Sequence, residues 1–448
     1  MKIRKTDTNF RACVLLVILA GAAATVRAQA PAPAPKEPEN FLNRSTMTGD
    51  WGGLRTDLAK KGITFDFTVT QTEMGVVTGG LNNAAEYGGR GDFFMTLDTA
   101  KAGLWKGGTF VIEGEVNWGN GANPNAGVLM PVNTNQVFPV PGKVGSAAIP
   151  SVMYSHVLSP YFGVTGGKVF VTGADENEFA HGKYGKGDTQ FFNTAFNIIP
   201  SALFTTPYTP LGAGFFFLPM KDPAAMIVKA LVYTSSGAAN KADFKTFSHD
   251  DLSVYLEGRW RTHLFGKTGH QDIIYLHSNK DMTSINQILN GESGTHVLAT
   301  KQGSWMVSCN FDQYLWEPEK GKGFGIFGRF AASDGDPNFI HYFYELGFGG
   351  KGVGAKRPND TYGFGGYYIN ASHPTVTTAA GTQQFFRDEK GFEAYYNIAL
   401  TPWAHLSPDF QVIHGISAQN VVAHAEQGVP LRNINNAVVL GLRLGLVF

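Results

Sequence analysis

Residues 437–448, AVVLGLRLGLVF, decide how the chain is read. Val438, Leu440, Leu442, Leu444, Leu446 and Phe448 share one parity, and Val439, Gly441, Arg443, Gly445 and Val447 share the other. A period of two belongs to a strand, here with one wholly apolar face and one face of small residues and a cation. With its terminal aromatic, this suits the last strand of a bacterial outer-membrane barrel. Such a strand pairs with the first and so removes the edges of the sheet. An edge strand of a soluble sandwich would alternate in the same way, so the rest of the chain has to separate the two.

It does so by repetition from Thr64 onward. Phe65, Phe67 and Val69 oppose Thr64, Asp66, Thr68 and Thr70. Phe110, Ile112, Val116 and Trp118 oppose Glu113, Glu115 and Asn117. Leu252, Val254, Leu256 and Trp260 oppose Ser253, Tyr255, Glu257, Arg259 and Arg261. Stretches 324–332, 362–368 and 392–400 alternate more weakly. Each charged face would disrupt a sandwich core, yet each apolar face is as bulky as a core face. A water-filled barrel in lipid, polar side chains inward and apolar ones outward, satisfies both.

Composition agrees. Glycine supplies 55 of 448 residues, aromatic side chains 13% and charged ones only 16%. A soluble protein of this size usually carries more charge on its exterior. The amino terminus is basic (Lys2, Arg4, Lys5, Arg11) and then apolar from Ala12 to Ala24, with small residues around 26–30. That is the pattern of a secretory signal, too short to span a bilayer. The first 28 residues hold five Lys/Arg and one Asp, so of 36 basic and 36 acidic side chains 31 and 35 remain. The remaining net charge of about −4 argues against a nucleic-acid partner. Cys13 leaves with the signal and Cys309 stays alone, so no internal disulfide forms. The expected organisation is a signal peptide (1–28), a Pro/Ala-rich linker (29–47), a short helix (48–63) and an all-β transmembrane antiparallel barrel (64–448). Leu54, Leu58 and a stop at Gly62 predict that helix, the only one expected after the signal.

Roughly 16 strands would take about 24 residues each with their connections, with membrane strands needing about 9–11. Long loops are expected at 119–150, 266–301, 372–384 and 417–432; 173–219 is too long for a plain loop and receives no assignment. A barrel this wide leaves an aqueous channel, so passage of solutes is the default function.

Several segments resemble one family. Gly49-Asp50-Trp51-Gly52-Gly53-Leu54-Arg55, with Leu58 and Gly62-Ile63, is similar to the amino-terminal signature of carbohydrate-selective outer-membrane porins of the OprB type. Phe311-Asp312-Gln313, Trp316-Glu317, Phe327-Gly328-Arg329-Phe330 and Ser333-Asp334-Gly335-Asp336-Pro337-Asn338 fit its middle strands and a loop. Glu393-Ala394-Tyr395-Tyr396, Thr401-Pro402-Trp403, Leu406-Ser407-Pro408-Asp409, Gln411 and Gly441-Leu442-Arg443-Leu444 fit its closing strands. The resemblance implies a sixteen-stranded barrel that admits glucose and other small sugars, without catalysis or cofactor. The matching motifs fall outside 119–301, where constriction loops are expected.

A neutral sugar needs opposed donors and acceptors to replace its hydration, held weakly enough to let it leave. The inward parity offers Arg90, Asp92, Asp98, Glu113, Glu115, Lys168, Glu257, Arg259, Arg261, Arg329, Glu345, Glu393 and Arg443. Arg90, Asp98, Glu113, Glu115, Lys168, Glu257, Arg259 and Arg329 are the eyelet candidates; as ordinary lumen charges they would simply keep the channel wet. Most exposed aromatic residues are expected to anchor at the membrane interfaces. Expected partners are small sugars, outer-membrane lipid and, through the strand ending at Phe448, the barrel-assembly machinery. Two other functions stay open: a general or anion-preferring porin, and a secreted β-rich carbohydrate-binding protein or hydrolase. No HExxH or GxSxG occurs, and the Gly323–Gly328 match to GxGxxG lies inside a strand pattern with no helix after it. Asp334, Asp336 and Asn338 open like a calcium loop, but Phe339 stands where glycine is required.

Overall fold

The structure, a computed structural model, describes residues 40–139, 145–171, 175–182, 185–240, 251–285, 299–352, 354, 356–373, 375–378, 381–384, 387–415 and 436–448. The expected signal peptide, most of the linker, and the loop at 417–432 lie outside these. Alternating apolar and polar residues produce sixteen barrel strands. They are β1 (Ile63–Thr78), β2 (Ala85–Asp98), β3 (Gly108–Gly119), β4 (Ala147–Ser159), β5 (Phe162–Lys168), β6 (Leu211–Phe217), β7 (Met226–Thr234) and β8 (Leu252–Thr262). The others are β9 (Gly269–Thr283), β10 (Thr300–Glu319), β11 (Lys322–Ser333), β12 (Ile340–Lys351), β13 (Thr361–Ala371), β14 (Glu389–Thr401), β15 (Ala404–His414) and β16 (Ala437–Val447).

Each strand pairs with its sequence neighbours and β16 closes on β1, with Thr72 opposite Arg443 and Gly75 opposite Leu440. Closure leaves no unpaired edge, which lipid would not tolerate. The Phe448 amide donates to the Phe67 carbonyl at 2.8 Å, and the two rings lie 5.1 Å apart. Leu440 and Leu442 are exposed on the outer face while Arg443 is buried inside, as their parity requires. Among the described residues no helix is long and apolar enough to cross a membrane; the strands cross it.

The amino-terminal helix α1 spans Leu54–Lys60, shorter than the stretch expected for it. Gly62 follows it at φ +82°, where a Cβ would collide with the Asp98 carbonyl. Two further short helices were not legible in the pattern: Asn123–Ala126 and Pro200–Thr205. The first part of the stretch expected as a loop from 266 to 301 is strand, since β9 covers Gly269–Thr283; 286–298 lie outside the described residues. A separate hairpin, Thr375–Thr378 against Gly381–Gln384, falls between β13 and β14 in the sequence. Turns alternate with longer connections, so the barrel has a short-turn end and a long-loop end, the pattern that places the former toward the periplasm.

Connection 169–210 does not stay outside. Strands β5 and β6 have only seven residues each, fewer than the roughly 9–11 that cross a bilayer. The chain leaves the wall early and turns into the lumen. There Phe191, Phe192, Phe196 and Ile198 are fully buried, and 120–139 packs beside them. The two are joined by Thr134 N to Phe192 O at 2.8 Å and Thr194 N to Pro131 O at 2.9 Å. The lumen is therefore partly packed rather than filled by water alone.

Candidate functional site

Glycines make the room for this packing. On β12 and β13, Gly349, Gly363 and Gly365 point inward, and a Cβ on them would lie 2.6 Å from Phe179, 2.9 Å from Phe191 and 2.8 Å from Phe196. Rings then fill the space: Phe191 stacks on Phe196 at 4.4 Å and meets Tyr395 at 4.8 Å, and Phe196 meets Tyr367 at 5.7 Å. Tyr367 and Tyr395 therefore hold the inserted segment, whereas the exposed Trp105 and Tyr368 stand on the outer wall as interface residues do.

Charged wall residues take up the polar groups the segment brings inside, which burial would otherwise leave unpaired. On β2 and β3, Arg90 holds Asp92 through Nε and Nη2 at 2.9 and 2.7 Å. Lys186 of the segment reaches between Glu113 and Glu115 and ion-pairs with both. Its ammonium also lies 4.7 Å from the Phe170 ring centroid, and the Tyr208 hydroxyl donates to Glu115. Burial disfavours the Lys186 ammonium, but the Glu115 and Glu113 carboxylates outweigh it and hold its pKa above the ordinary 10.5. Burial, and then Glu115, push the Tyr208 hydroxyl well above its ordinary 10.0, so it stays a donor. Oxygens of Asp92, Glu113 and Glu115 approach within 4.8 Å of one another, as metal ligands would. The Arg90 guanidinium and the Lys186 ammonium already neutralise them, which makes the cluster a clamp.

A second clamp lies on β11 and β12. Arg329 donates to Asp175 of the segment at 2.8 Å, to Glu345 at 2.9 and 3.0 Å, and to the carbonyls of Phe196 and Ala180 at 3.1 and 2.5 Å. A third uses β14 to β16. Glu393 accepts the amides of Phe192 and Asn193 at 2.5 and 2.9 Å, and Arg443 donates to the carbonyls of Gly187 and Gln190 at 2.6 and 2.7 Å. Glu389 does the same for the Met130 amide at 3.0 Å.

The arc from β7 to β9 differs. Arg259 ion-pairs with Glu176 of the segment, whose side chain is 60% exposed. Lys229, 27% exposed, pairs with Glu257 at 2.8 Å, and Tyr255 donates to Glu257 at 2.5 Å. His270 meets Asp312 at 2.8 Å with its ring 26% exposed. Among the described residues, Arg259–Glu176 is the one ion pair between segment and wall that leaves an acid open to water.

The eyelet candidates therefore separate into groups. Arg90, Glu113, Glu115 and Arg329 come together with the segment as buried fasteners. Arg259 lines the accessible arc, and Glu257 is buried there beneath Lys229 and Tyr255. Asp98 has the right parity but sits at the turn, where its carboxylate accepts the amides of Ala100 and Lys101 at 3.0 and 3.1 Å. Lys168 ends β5 and donates to the Ala238 carbonyl, bracing a connection. Sequence reading missed Asp175, Glu176, Lys186 and Tyr208, all inside the stretch left unassigned. The signal present was the inward glycine face of β12 and β13, which implies that another part of the chain fills the gap.

A family model described as carbohydrate-selective porin, OprB family, matches residues 82–448. The match leaves out the resembling segment at 49–63. Among solved structures, the high-pH structure of Pseudomonas putida OprB aligns with a TM-score of 0.75 and 19% identity over 92% of this chain and 100% of that one. The low-pH structure of the same protein aligns at 0.53 and 17% over 91% and 99%. At these identities the likeness is one of fold, and it is a channel fold. No curated protein matches the sequence. With most of its length matched by the family model, the chain belongs to the OprB family of carbohydrate-selective porins.

Proposed function

We propose that this protein is a porin of the outer membrane of a Gram-negative bacterium, through which small neutral sugars such as glucose diffuse down their gradient. Family membership over residues 82–448 carries this reading. The accessible arc supports it chemically. Arg259 and Lys229 supply donors, Glu176 supplies an acceptor, and each cation is already paired with an acid, Lys229 with the buried Glu257. A neutral solute can exchange hydroxyl contacts with such pairs, and the balanced charge gives no strong preference for an ion. We assign solute contact to Arg259, Glu176 and Lys229, and the narrowing of the lumen to Lys186 and Arg329 with their partners.

Liposome swelling tests the reading. Glucose should enter faster than amino acids of similar size, and a larger disaccharide more slowly. Equal rates for glucose and amino acids would leave a general porin, and no entry at all would sink the channel reading. The anion-preferring reading rests on Arg259 and Arg261, but Glu176 balances Arg259; reversal potentials near zero in a salt gradient would dispose of it. We retain residues 1–28 as an export signal, which the amino-terminal mass of the exported protein tests. We also retain β16 with Phe448 as the segment that the assembly machinery engages; deleting Phe448 should lower the yield of folded barrel.

A further inference from the structure

A lumen wall that faces water should be polar. Between β4 and β7 it is mostly apolar, with the inward Ser155 and Thr165 hydroxyls bonded to each other at 2.9 Å. Phe216 lies opposite Lys229, Ile227 opposite Arg259 and Leu231 opposite Tyr255, so all three share the inward parity of those polar residues. All three are half-buried: Leu231 packs in part against the core, and the rest of their apolar surface stays open. With Met153 and with Phe170 and Val171 of the inserted segment they enclose a cavity of about 540 Å³. It reaches the short-turn end through Leu218 and Pro223. Volume and lining are those of a small-molecule site, apolar with few polar groups.

Those polar groups are Ser155 and Thr165, with Lys229 and Tyr255 at the edge shared with the accessible arc. Lys229 and Tyr255 both engage the buried Glu257, so the edge offers the Lys229 ammonium as a donor at balanced charge. An inorganic ion would gain nothing from the apolar lining, and glucose has no apolar face large enough to cover it. A solute with a sugar at one end and an aromatic ring at the other matches both parts. We propose that the cavity is a subsite for the ring of an aryl glycoside, whose sugar then meets Lys229. The proposal rests on the carbohydrate-porin reading and extends it to a class of solute.

Block of ionic current through the full-length protein in planar bilayers tests it, with phenyl β-glucoside, methyl β-glucoside and glucose as probes. Burying most of one ring should make phenyl β-glucoside block at about tenfold lower concentration than methyl β-glucoside. Leu231→Gln and, separately, Phe216→Ser should erase that difference while glucose block stays as it was. Two variants are used so that a folding failure in one, seen as loss of heat-modifiable mobility, leaves the other to decide. Equal block by the two glucosides overturns the subsite, as does a phenyl advantage that survives both substitutions. If phenyl β-glucoside blocks and glucose does not, the subsite stands and the glucose reading falls. Block by neither overturns both.

Discussion

Two arcs of the same lumen carry charged residues of the same parity and use them differently. On β2, β3, β11, β12 and β14 to β16, the charges are buried against the inserted segment. There they accept its amides, donate to its carbonyls or pair with its acids. On β7 to β9, Lys229, Arg259 and His270 keep contact with water. The difference is one of packing. Where the segment packs close against the wall, its polar groups must be satisfied locally. At Arg259 the acid that the segment brings, Glu176, stays open to water. An inward charge in this barrel is thus either a fastener or a solute contact, and packing decides which.

The sharpest way to break the comparison is Lys186→Met. It leaves Glu113 and Glu115 facing each other without a cation, and removing one partner of a buried ion pair costs about 3–5 kcal/mol. The segment should loosen, conductance should rise several-fold and disaccharides should enter liposomes. Adding Glu113→Gln and Glu115→Gln to that variant should return much of the wild-type conductance, because the uncompensated charge is gone. The pH dependence follows from the same residue. Lys186 is held above its ordinary 10.5, so the clamp is fully present below that value and is lost only as pH rises through the higher folded-state value. Conductance should be flat from neutral pH up to that point; opening that begins lower would mean another group controls the segment.

Arg329→Met should come next in size. It strips Asp175 and Glu345 of their shared cation and leaves the Phe196 and Ala180 carbonyls without a donor. Its contacts run from Asp175 to Phe196, but the segment's own carboxylate keeps a partner, since Asn310 still donates to Asp175 at 3.2 Å. A rise in conductance smaller than that of Lys186→Met, with a lower midpoint for heat modification, is expected from single-channel recording and gel mobility.

Much of the wall was legible before any coordinates, and little of what fills it. Alternation gave β1, β3, β8, β11, β13, β14 and β16 their inner and outer faces, and closure by β16 follows from its apolar parity and Arg443; β6 fell in the stretch left unassigned and β9 in one expected as a loop. The clamps were not legible, because Lys186 and its acids are 71 and 73 residues apart in the chain and no local period links them. Asp98 shows the limit from the other side: parity assigned its face correctly, but only the position of the turn shows that its carboxylate caps a backbone. Gly347-Phe348-Gly349-Gly350 and Gly363-Phe364-Gly365-Gly366 carried a usable hint. Their phenylalanines stand on the outer face of the wall, while their inward glycines leave space that only a second layer of chain can fill.

The smallest expected effects belong to the accessible arc, and they sharpen the contrast most directly. Glu176 is 60% exposed, and exposed ion pairs contribute at most about 1 kcal/mol. Glu176→Gln and Arg259→Ala should therefore leave heat-modifiable mobility unchanged, unlike Lys186→Met. Their effect should fall on transport. Glu176→Gln leaves Arg259 unbalanced and should move the reversal potential toward anions. Arg259→Ala should move it toward cations and weaken glucose block by a few-fold. If either substitution instead lowers the heat-modification midpoint as much as Arg329→Met does, the arc is a fourth clamp and solute contact must be sought elsewhere in the lumen.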